Sequence, residues 1–558
     1  MKQKNKVSFY SVLDKLLIFI VVFGIIIFIL YPIYSVIITS LFDKGEFTLK
    51  FYKQLFTGQN LKLIKNSLFV TISSSLITLI VSLSIALFTF TRNEKSKNRI
   101  KKMLILTMIS PPFVSSLAFI MLFGRRGLIT YKLLGLSLNP YGWQGIVALQ
   151  AIGSVSFATM MFVSSLDNID FKLILASRDL GANMSKTLFK IIIPQVMPTI
   201  LSVLFILFTI NLSDFGTPIV IGGRYKVLAT EAYLQILSSS SLGKAADISM
   251  IMIPPSIIAF YFYKKALKMQ GNLAEGNKSQ QFTDYKYTFP MSVKTVITTI
   301  FFLYLGIMVL KYSNIFLSAI SNTATGEIRF TTSYLTKLPK SFMSSFVNSL
   351  FYAIIAAISS TFIGILISYY THRRNIKYMT VIEFISSLPY IIPGTFFGLG
   401  YVAAFSKPPF LLSGTAIIII SNIAFRQVSI ANKAANAAFS SIDSKIEFAA
   451  KDLGASHVQS LFGIIIPILK PVILNCFITI FTTSMTAVGA IVFLISPGKN
   501  VASVEMFQSI ENGLYGVAAV QAVIIIAVTV CINLIAMRLL KKHTNISDVG
   551  GKDVFTAE

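Results

Sequence analysis

The chain carries one stretch of thirty-two residues twice. Residues 169–200 read IDFKLILASRDLGANMSKTLFKIIIPQVMPTI and residues 442–473 read IDSKIEFAAKDLGASHVQSLFGIIIPILKPVI, at a constant offset of 273 without a gap. Sixteen of the thirty-two positions are identical, including Asp170/Asp443, Ala176/Ala449, Asp179/Asp452, Gly181/Gly454, Pro194/Pro467 and Pro198/Pro471. A gapless match of that density makes the chain two homologous halves in tandem.

The local chemistry of the stretch is specific. Asp170 and Asp443 stand where a helix N-cap is wanted, with a carboxylate to accept orphan backbone N–H bonds. A short helical run follows and meets Leu-Gly-Ala. Gly181 and Gly454 suit a left-handed residue just past a helix end, where the chain can turn sharply. A second short helix, roughly 183–190 and 456–463, leads into Ile-Ile-Ile-Pro. Pro194 and Pro467 would break a helix interior but are tolerated in the first turn of a new helix. The expectation is an L-shaped pair of short helices between two hydrophobic spans.

This pattern resembles the EAA loop of ABC-importer permeases: Glu-Ala-Ala, three residues, Gly, nine residues, then Ile-x-Leu-Pro. The second copy matches it as Phe448-Ala449-Ala450, Gly454, Ile464 and Ile466-Pro467. The first matches as Leu175-Ala176-Ser177, Gly181, Ile191 and Ile193-Pro194. The motif Glu is missing, with Glu447 one place early in copy two and Ile174 in its place in copy one, and Ile replaces Leu. The resemblance implies an all-α polytopic membrane protein of two tandem six-helix ABC-importer-type transmembrane domains. It also implies that each loop is a coupling helix docking into the ATP-hydrolysing subunit. The coupling residues would be Ala176, Ser177, Asp179, Gly181 and Pro194, and Ala449, Ala450, Asp452, Gly454 and Pro467.

Composition agrees. Hydrophobic residues make up 54% of the chain and charged residues only 13%, about half the charged share of a soluble domain. The net charge of +27 does not point to nucleic acid, because the basic residues are scattered through short loops without an aromatic-laced basic patch. Cys476 and Cys531 lie in apolar runs and imply no disulfide framework. The first apolar run keeps its lysines in front, is too long for a cleavable signal and lacks a small-residue cleavage site.

A crossing helix needs about 20 apolar residues. Candidates fall at 16–40, 66–90, 103–123, 143–166, 191–212 and 244–264, then at 292–312, 348–370, 379–403, 411–432, 466–489 and 517–540. This makes twelve spans, six per half. Lysine and arginine bias places both termini and both coupling loops inside, with Arg92, Lys95, Lys97, Arg99, Lys101 and Lys102 as the densest cluster. The first outer loop, with Lys44, Lys50, Lys53, Lys62 and Lys65, runs against this bias. The domains expected are 1–266, a cytoplasmic linker 267–290, 291–545 and a polar tail 546–558. Asn66-Ser67-Leu68 and Asn348-Ser349-Leu350 open matching spans, and an even span count per half makes the repeats parallel.

Pro111-Pro112 and Pro389 with Pro393-Gly394 interrupt spans three and nine, and such breaks are tolerated where backbone lines a cavity or is buried in protein. Spans five and eleven run outward to polar turns containing Asn211, Ser213 and Asp214, and Ser484 and Thr486. These five residues are the candidates for a substrate path. Asp214 corresponds to Ala487, so the halves differ there; an intramembrane acid suggests function, and the alternative is an interfacial acid that caps a turn. Arg426 and Glu383 read as snorkelling or locally paired residues near span ends. His372, His457 and His543 are too far apart in sequence to suggest a metal site, and no metal is expected.

No GxxxxGK[ST] loop occurs, so the ATPase must be another chain. No Ser/His/Asp or Cys/His arrangement suggests an enzyme, and no cofactor is expected on this one. The resemblance implies a permease in the bacterial cell membrane, served by two copies of an ABC ATPase subunit and an external substrate-binding protein. Asp214-Phe-Gly-Thr-Pro-Ile-Val-Ile-Gly-Gly, Ala490-Ile-Val-Phe-Leu-Ile-Ser-Pro-Gly and Glu511-Asn-Gly look like the fused permeases for ferric iron. The architecture is also similar to permeases for 2-aminoethylphosphonate and, more distantly, for thiamine and polyamines. A gradient-driven secondary transporter is the rival class, but apart from Asp214 the spans offer almost no coupling acids.

Overall fold

The computed structural model describes residues 2–43, 46–49, 53, 58–125, 127–136, 139–239, 242–274, 289–322 and 329–550. Residues 275–288 of the expected linker, residues 551–558 of the expected tail, and Lys44 and Lys50 lie outside the described residues. The described chain is mostly helical, with turns and loops between the helices and two-residue strand ladders, one of which pairs Ser321 with Phe330 and Asn322 with Arg329.

Nine described helices are long and apolar enough to cross a bilayer, and eleven if each of two sharply bent pairs counts as one span. The expected twelve spans are therefore not all present as apolar crossings. The shortfall lies at the tenth candidate. The Ala416–Ser441 helix is long enough but carries Asn422, Arg426, Asn432, Lys433 and Asn436, and it is not among the apolar spans. A second correction concerns the third candidate, 103–123. Pro111 and Pro112 end one helix (Glu94–Met108) and start the next (Pro112–Phe123), so the apolar crossing runs over Phe113–Leu133 instead. The ninth candidate is a bent pair, Met379–Ile391 and Gly394–Phe405, turned through 114° at Pro393.

The helices gather into two compact units that are not contiguous in sequence. One contains residues 1–42, 339–505 and 525–558; the other contains 43–338 and 506–524. The first helix of each repeat has thus joined the bundle of the other repeat.

In the unit built on the second repeat, the long Phe9–Leu41 span packs by its aromatic rings. Phe28 stacks on Phe425 with centroids 4.8 Å apart, and the Tyr401 hydroxyl donates to the Phe28 carbonyl at 2.8 Å. Contact is close because Gly400 has no side chain: a Cβ there would stand 2.8 Å from the Pro32 carbonyl oxygen. In the other unit the Met291–Ile320 helix packs on the first repeat. Phe88 stacks on Phe301 at 4.2 Å, Tyr304 and Ser156 hydroxyls meet at 2.6 Å, and Tyr312 donates to the Thr107 carbonyl at 3.1 Å. Phe9–Leu41 and Met291–Ile320 are also the least enclosed spans, each with 22% of its apolar window buried. Both lie at the periphery of their units, with most of the apolar window uncovered.

Because Gly400 meets backbone rather than a movable side chain, overpacking there should be felt. Gly400→Ala is expected to destabilise the unit by about 1–3 kcal/mol, read as a lower thermal unfolding midpoint of the purified chain in detergent. An unchanged midpoint would mean that the first helix is not held there.

Candidate coupling loops and polar core

The duplicated stretch folds the same way in both copies. In copy one the Phe171–Asp179 helix starts under Asp170, whose Oδ1 accepts the Lys172 N–H at 3.0 Å. In copy two Asp443 accepts the Lys445 N–H at 2.9 Å, and the helix runs over Lys445–Asp452. Each helix ends on its glycine in the left-handed region, Gly181 at φ +77 and Gly454 at φ +86. Two closing bonds repeat as well. Gly181 N–H donates to Arg178 and Ala182 N–H to Ser177, both at 2.9 Å; Gly454 donates to Lys451 at 2.8 Å and Ala455 to Ala450 at 3.0 Å. This paired pattern satisfies carbonyls that a helix end would otherwise orphan.

The second arms are short capped helices. Asn183 accepts the Lys186 N–H at 2.8 Å ahead of Met184–Thr187. Ser456 and Gln459 form a reciprocal capping box ahead of His457–Ser460, with bonds of 3.3 and 2.8 Å. Ser177 and Thr187 hydroxyls, 3.0 Å apart, tie the two arms of copy one together.

The prolines fall where expected, at the second residue of an α-helical segment (Ile193–Ser213 and Ile466–Ile468), but each segment is entered from a wider turn. Both arms widen into a π-turn just before the proline, Leu188–Ile192 and Leu461–Ile465. The wider turn has already shifted the hydrogen-bond register, so the proline's missing donor and bulky ring are tolerated there. In copy one the helix then continues unbroken through Pro194 and Pro198, giving an apolar crossing over Met184–Ser213. In copy two it bends by 74° between Ile468 and Lys470.

Burial follows the same pattern in both loops. Positions 174/447, 177/450, 188/461 and 192/465 point inward, while Ala176/Ala449, Asp179/Asp452, Gly181/Gly454 and Pro194/Pro467 are exposed. At each corner a leucine stands out in solvent, Leu180 at 88% exposure and Leu453 at 90%. Leu173/Ile446 and Phe189/Phe462 are exposed beside them. Exposed apolar side chains thus recur at matching positions on both capped loops. Sequence reasoning passed over the leucine because Leu-Gly reads first as a turn.

The two loops differ in how they are held. Ile174 is fully buried in the apolar core of its unit, whereas Glu447 at the matching position pairs with Arg373, Nε to Oε1 3.5 Å. Burial raises the Glu447 carboxyl above its ordinary value, and Arg373 and then Lys451 pull it back. Arg373 also donates to the carbonyls of Phe439 and Ile442. Its neighbour Arg374 is held by Asp14 of the first helix at 2.5 Å, and Asp14 also accepts from Tyr370 at 3.2 Å. A strap of charged groups thus runs from the first helix to the second loop.

Of the five path candidates, two meet. Gln150 donates to the Asn211 carbonyl at 3.2 Å and to Asp214 Oδ2 at 3.1 Å, and Asn211 donates to the Ser75 hydroxyl at 3.1 Å. Asp214 Oδ1 accepts the Thr217 N–H at 3.1 Å, capping the turn. Gln150, buried and joined to Ser74 at 3.1 Å, was missed in the sequence, where a single glutamine in an apolar helix gives no periodic signal. Ser213, Ser484 and Thr486 turn their hydroxyls back to carbonyls of their own helices at 2.6, 2.6 and 3.1 Å. Glu383 is locally paired, accepting from Asn436 at 2.6 Å and Asn432 at 3.2 Å, with His372 at 3.3 Å. Among the described residues no three His, Cys, Asp or Glu side chains gather as a metal site.

Comparison with known proteins agrees with this geometry. The profile of the family described as "Binding-protein-dependent transport system inner membrane component" matches residues 79–266 and again residues 360–543. The chain belongs to that family. Each match takes in one copy of the duplicated stretch, and the two matches together make this a tandem inner-membrane permease of a binding-protein-dependent transport system. The "Ferric transport system permease protein FbpB" of Actinobacillus pleuropneumoniae is 28% identical over 520 residues, 91% of this chain and 75% of that protein. The "Putative ferric transport system permease protein FbpB 1" of Haemophilus influenzae is 29% identical, over 86% of this chain and 77% of its own length. The "Putative 2-aminoethylphosphonate transport system permease protein PhnV" of Salmonella paratyphi A is 26% identical over 30% of this chain and 64% of its own. The family implies an ATPase and a substrate-binding protein as partners, and a membrane subunit that is not itself the enzyme.

The corner glycines of the permease loops have open space around them, with nothing within 4 Å of a built Cβ. Gly181→Ala and Gly454→Ala should therefore act through backbone strain alone, about 1–2 kcal/mol each. The expected readout is faster amide exchange confined to the altered loop; unchanged exchange would refute the strained corner.

Proposed function

We propose that this permease is the complete membrane pathway of an ATP-driven importer for ferric iron. The observation that carries the reading is the pair of coupling loops on one chain, alike in caps, corner and exposed leucine. Each loop takes one copy of the ATPase, so two copies bind per chain. ATP itself is bound and hydrolysed there, and this chain holds no cofactor. An external binding protein delivers the cargo to the opposite face, with both termini and both loops on the cytoplasmic side. Residues 1–266 and 291–545 act as the two repeats of the pathway, 267–290 as their connection and 546–558 as a tail. ATP binding draws 169–194 and 442–467 together, and the bundles rock to change access.

Ferric iron is favoured by the two ferric permeases that align over most of this chain. A 2-aminoethylphosphonate cargo is the second reading, favoured by the shorter match to a permease named for it.

Two outcomes test this. Affinity purification of the tagged chain should recover an ATPase at about two per chain, and Gly181→Pro with Gly454→Pro should lose both the ATPase and uptake while the chain stays in the membrane. Normal uptake by that double variant would remove the coupling role. Asp214 is proposed to act in the path together with Asn211, Ser213, Ser484 and Thr486. Asparagine caps a helix as well as aspartate does, so Asp214→Asn keeps the turn while removing the charge and the acceptor that Gln150 uses. Uptake is expected to fall at least tenfold, and unchanged uptake would reduce Asp214 to a cap.

A further inference from the structure

The 114° break at Pro393-Gly394 leaves the Gly394–Phe405 helix with a bare N-terminus: Pro393 supplies no side-chain cap. Its first amides carry the positive end of the helix dipole. Arg426, from the Ala416–Ser441 helix, lies against this same end. A Cβ built on Gly394 would stand 2.9 Å from Arg426 Nη2 and 3.4 Å from Cζ. Arg426 sits ten residues inside its helix and, among the described residues, lacks the local pairing that the sequence offered as one reading. Among the described residues the guanidinium makes no hydrogen bond and no ion pair, and its Nε is buried without a partner.

Two neutral groups accompany it. Thr395, in the first turn of the bare helix, is 1% exposed with its hydroxyl unpartnered among the described residues. Asn422, one turn before Arg426 on the same helix face, is fully buried, and neither of its amide atoms has a partner. A guanidinium beside a helix N-terminus sets like charge against like charge in a low dielectric, and each unmet polar group adds its own penalty. One occupant answers all of them: a small anion accepting from guanidinium, amide and hydroxyl together.

The other unit offers a partial parallel, with its cation supplied by the Met291–Ile320 helix. Pro111-Pro112 breaks the matching helix, Pro112–Phe123 likewise starts with no side-chain cap, and the buried cation there is Lys311, whose Nζ reaches Ser110 at 3.3 Å. Discontinuous membrane helices commonly aim such ends at the anionic group of a cargo.

We propose that Arg426, Thr395, Asn422 and the first amides of the Gly394–Phe405 helix form a binding site for a small oxyanion, a carboxylate, phosphate or phosphonate group. Glycine at 394, where the first repeat has proline, lets the guanidinium reach the helix end. Only the role of this site in transport rests on the permease reading; the binding itself does not.

The test uses the full chain purified in phosphate-free detergent, with equilibrium binding of inorganic phosphate, methylphosphonate and acetate. Wild type should bind at least one of them saturably, and Arg426→Gln should weaken that binding at least tenfold, with Arg426→Lys intermediate because lysine lacks the bidentate fork. Gly394→Ala keeps the charge and a good helix former but pushes the guanidinium aside, so it should weaken binding similarly and decides the matter if Arg426→Gln does not fold. Repeating the measurement in phospholipid discs separates sources: loss of binding there assigns the anion to a lipid headgroup, and persistence assigns it to a soluble solute. Absence of saturable binding of all three anions, or equal binding by wild type and Gly394→Ala, overturns the proposal. Neither result bears on ATPase recovery, so the importer reading stands or falls separately.

Discussion

Hydrocarbon offers a backbone no hydrogen-bond partners, and this constraint organises the whole chain. Most crossings obey it simply, as long uninterrupted helices whose serine and threonine hydroxyls fold back onto their own carbonyls, as Ser74 and Thr78 do. The informative places are the departures. The π-turns at Leu188–Ile192 and Leu461–Ile465, and the breaks at Pro111 and Pro393, each release backbone groups from the ladder. They recur at corresponding places in both repeats, so they are inherited features of the architecture and not local accidents. The loops and the proposed anion site both stand beside such departures.

The two repeats share a backbone plan but secure it with different chemistry. Where Ile174 plugs an apolar core, Glu447 is clamped by Arg373. Replacing a buried apolar contact by a buried ion pair seldom adds stability, because desolvation offsets most of the attraction. What it adds is directional dependence: the pair holds only while both partners keep their places. Through Arg374 and Asp14 that dependence extends from the second loop to the first helix. Similarly, Asp214 binds into a network with Gln150 in the first repeat, while the matching position of the second is Ala487.

Local chemistry was legible in the sequence, and long-range partnership was not. The caps at Asp170 and Asp443 and the left-handed corners at Gly181 and Gly454 could be read because each depends on a few adjacent residues. The π-turns could not, since Leu-Phe-Lys-Ile-Ile carries no signal separating a wide turn from an ordinary one. Hydropathy located the spans but misplaced the third, because it averages across Pro111-Pro112 where the backbone does not. It also counted 411–432 as an ordinary crossing, although the Ala416–Ser441 helix there carries Asn422, Arg426, Asn432, Lys433 and Asn436. The place of Arg426 against Gly394 was not legible either, because it is set by packed helices and one sequence does not list neighbours.

The exchanged first helices also bear on how the chain is made. Residues 1–42 belong to a unit that needs residues 339–505, and the unit around residues 43–338 also takes in residues 506–524. Neither bundle can close while its gene is half translated. The first helix must wait in the bilayer, inserted but without its aromatic partners Phe405 and Phe425, until most of the protein has emerged. Cutting the chain between its repeats would therefore yield two fragments that each keep their own first helix but lack the other repeat's helix that packs on their bundle, and neither would be an independent domain. Assembly here is a late, nearly simultaneous event, and the tandem fusion ensures that both missing helices are always at hand when it comes.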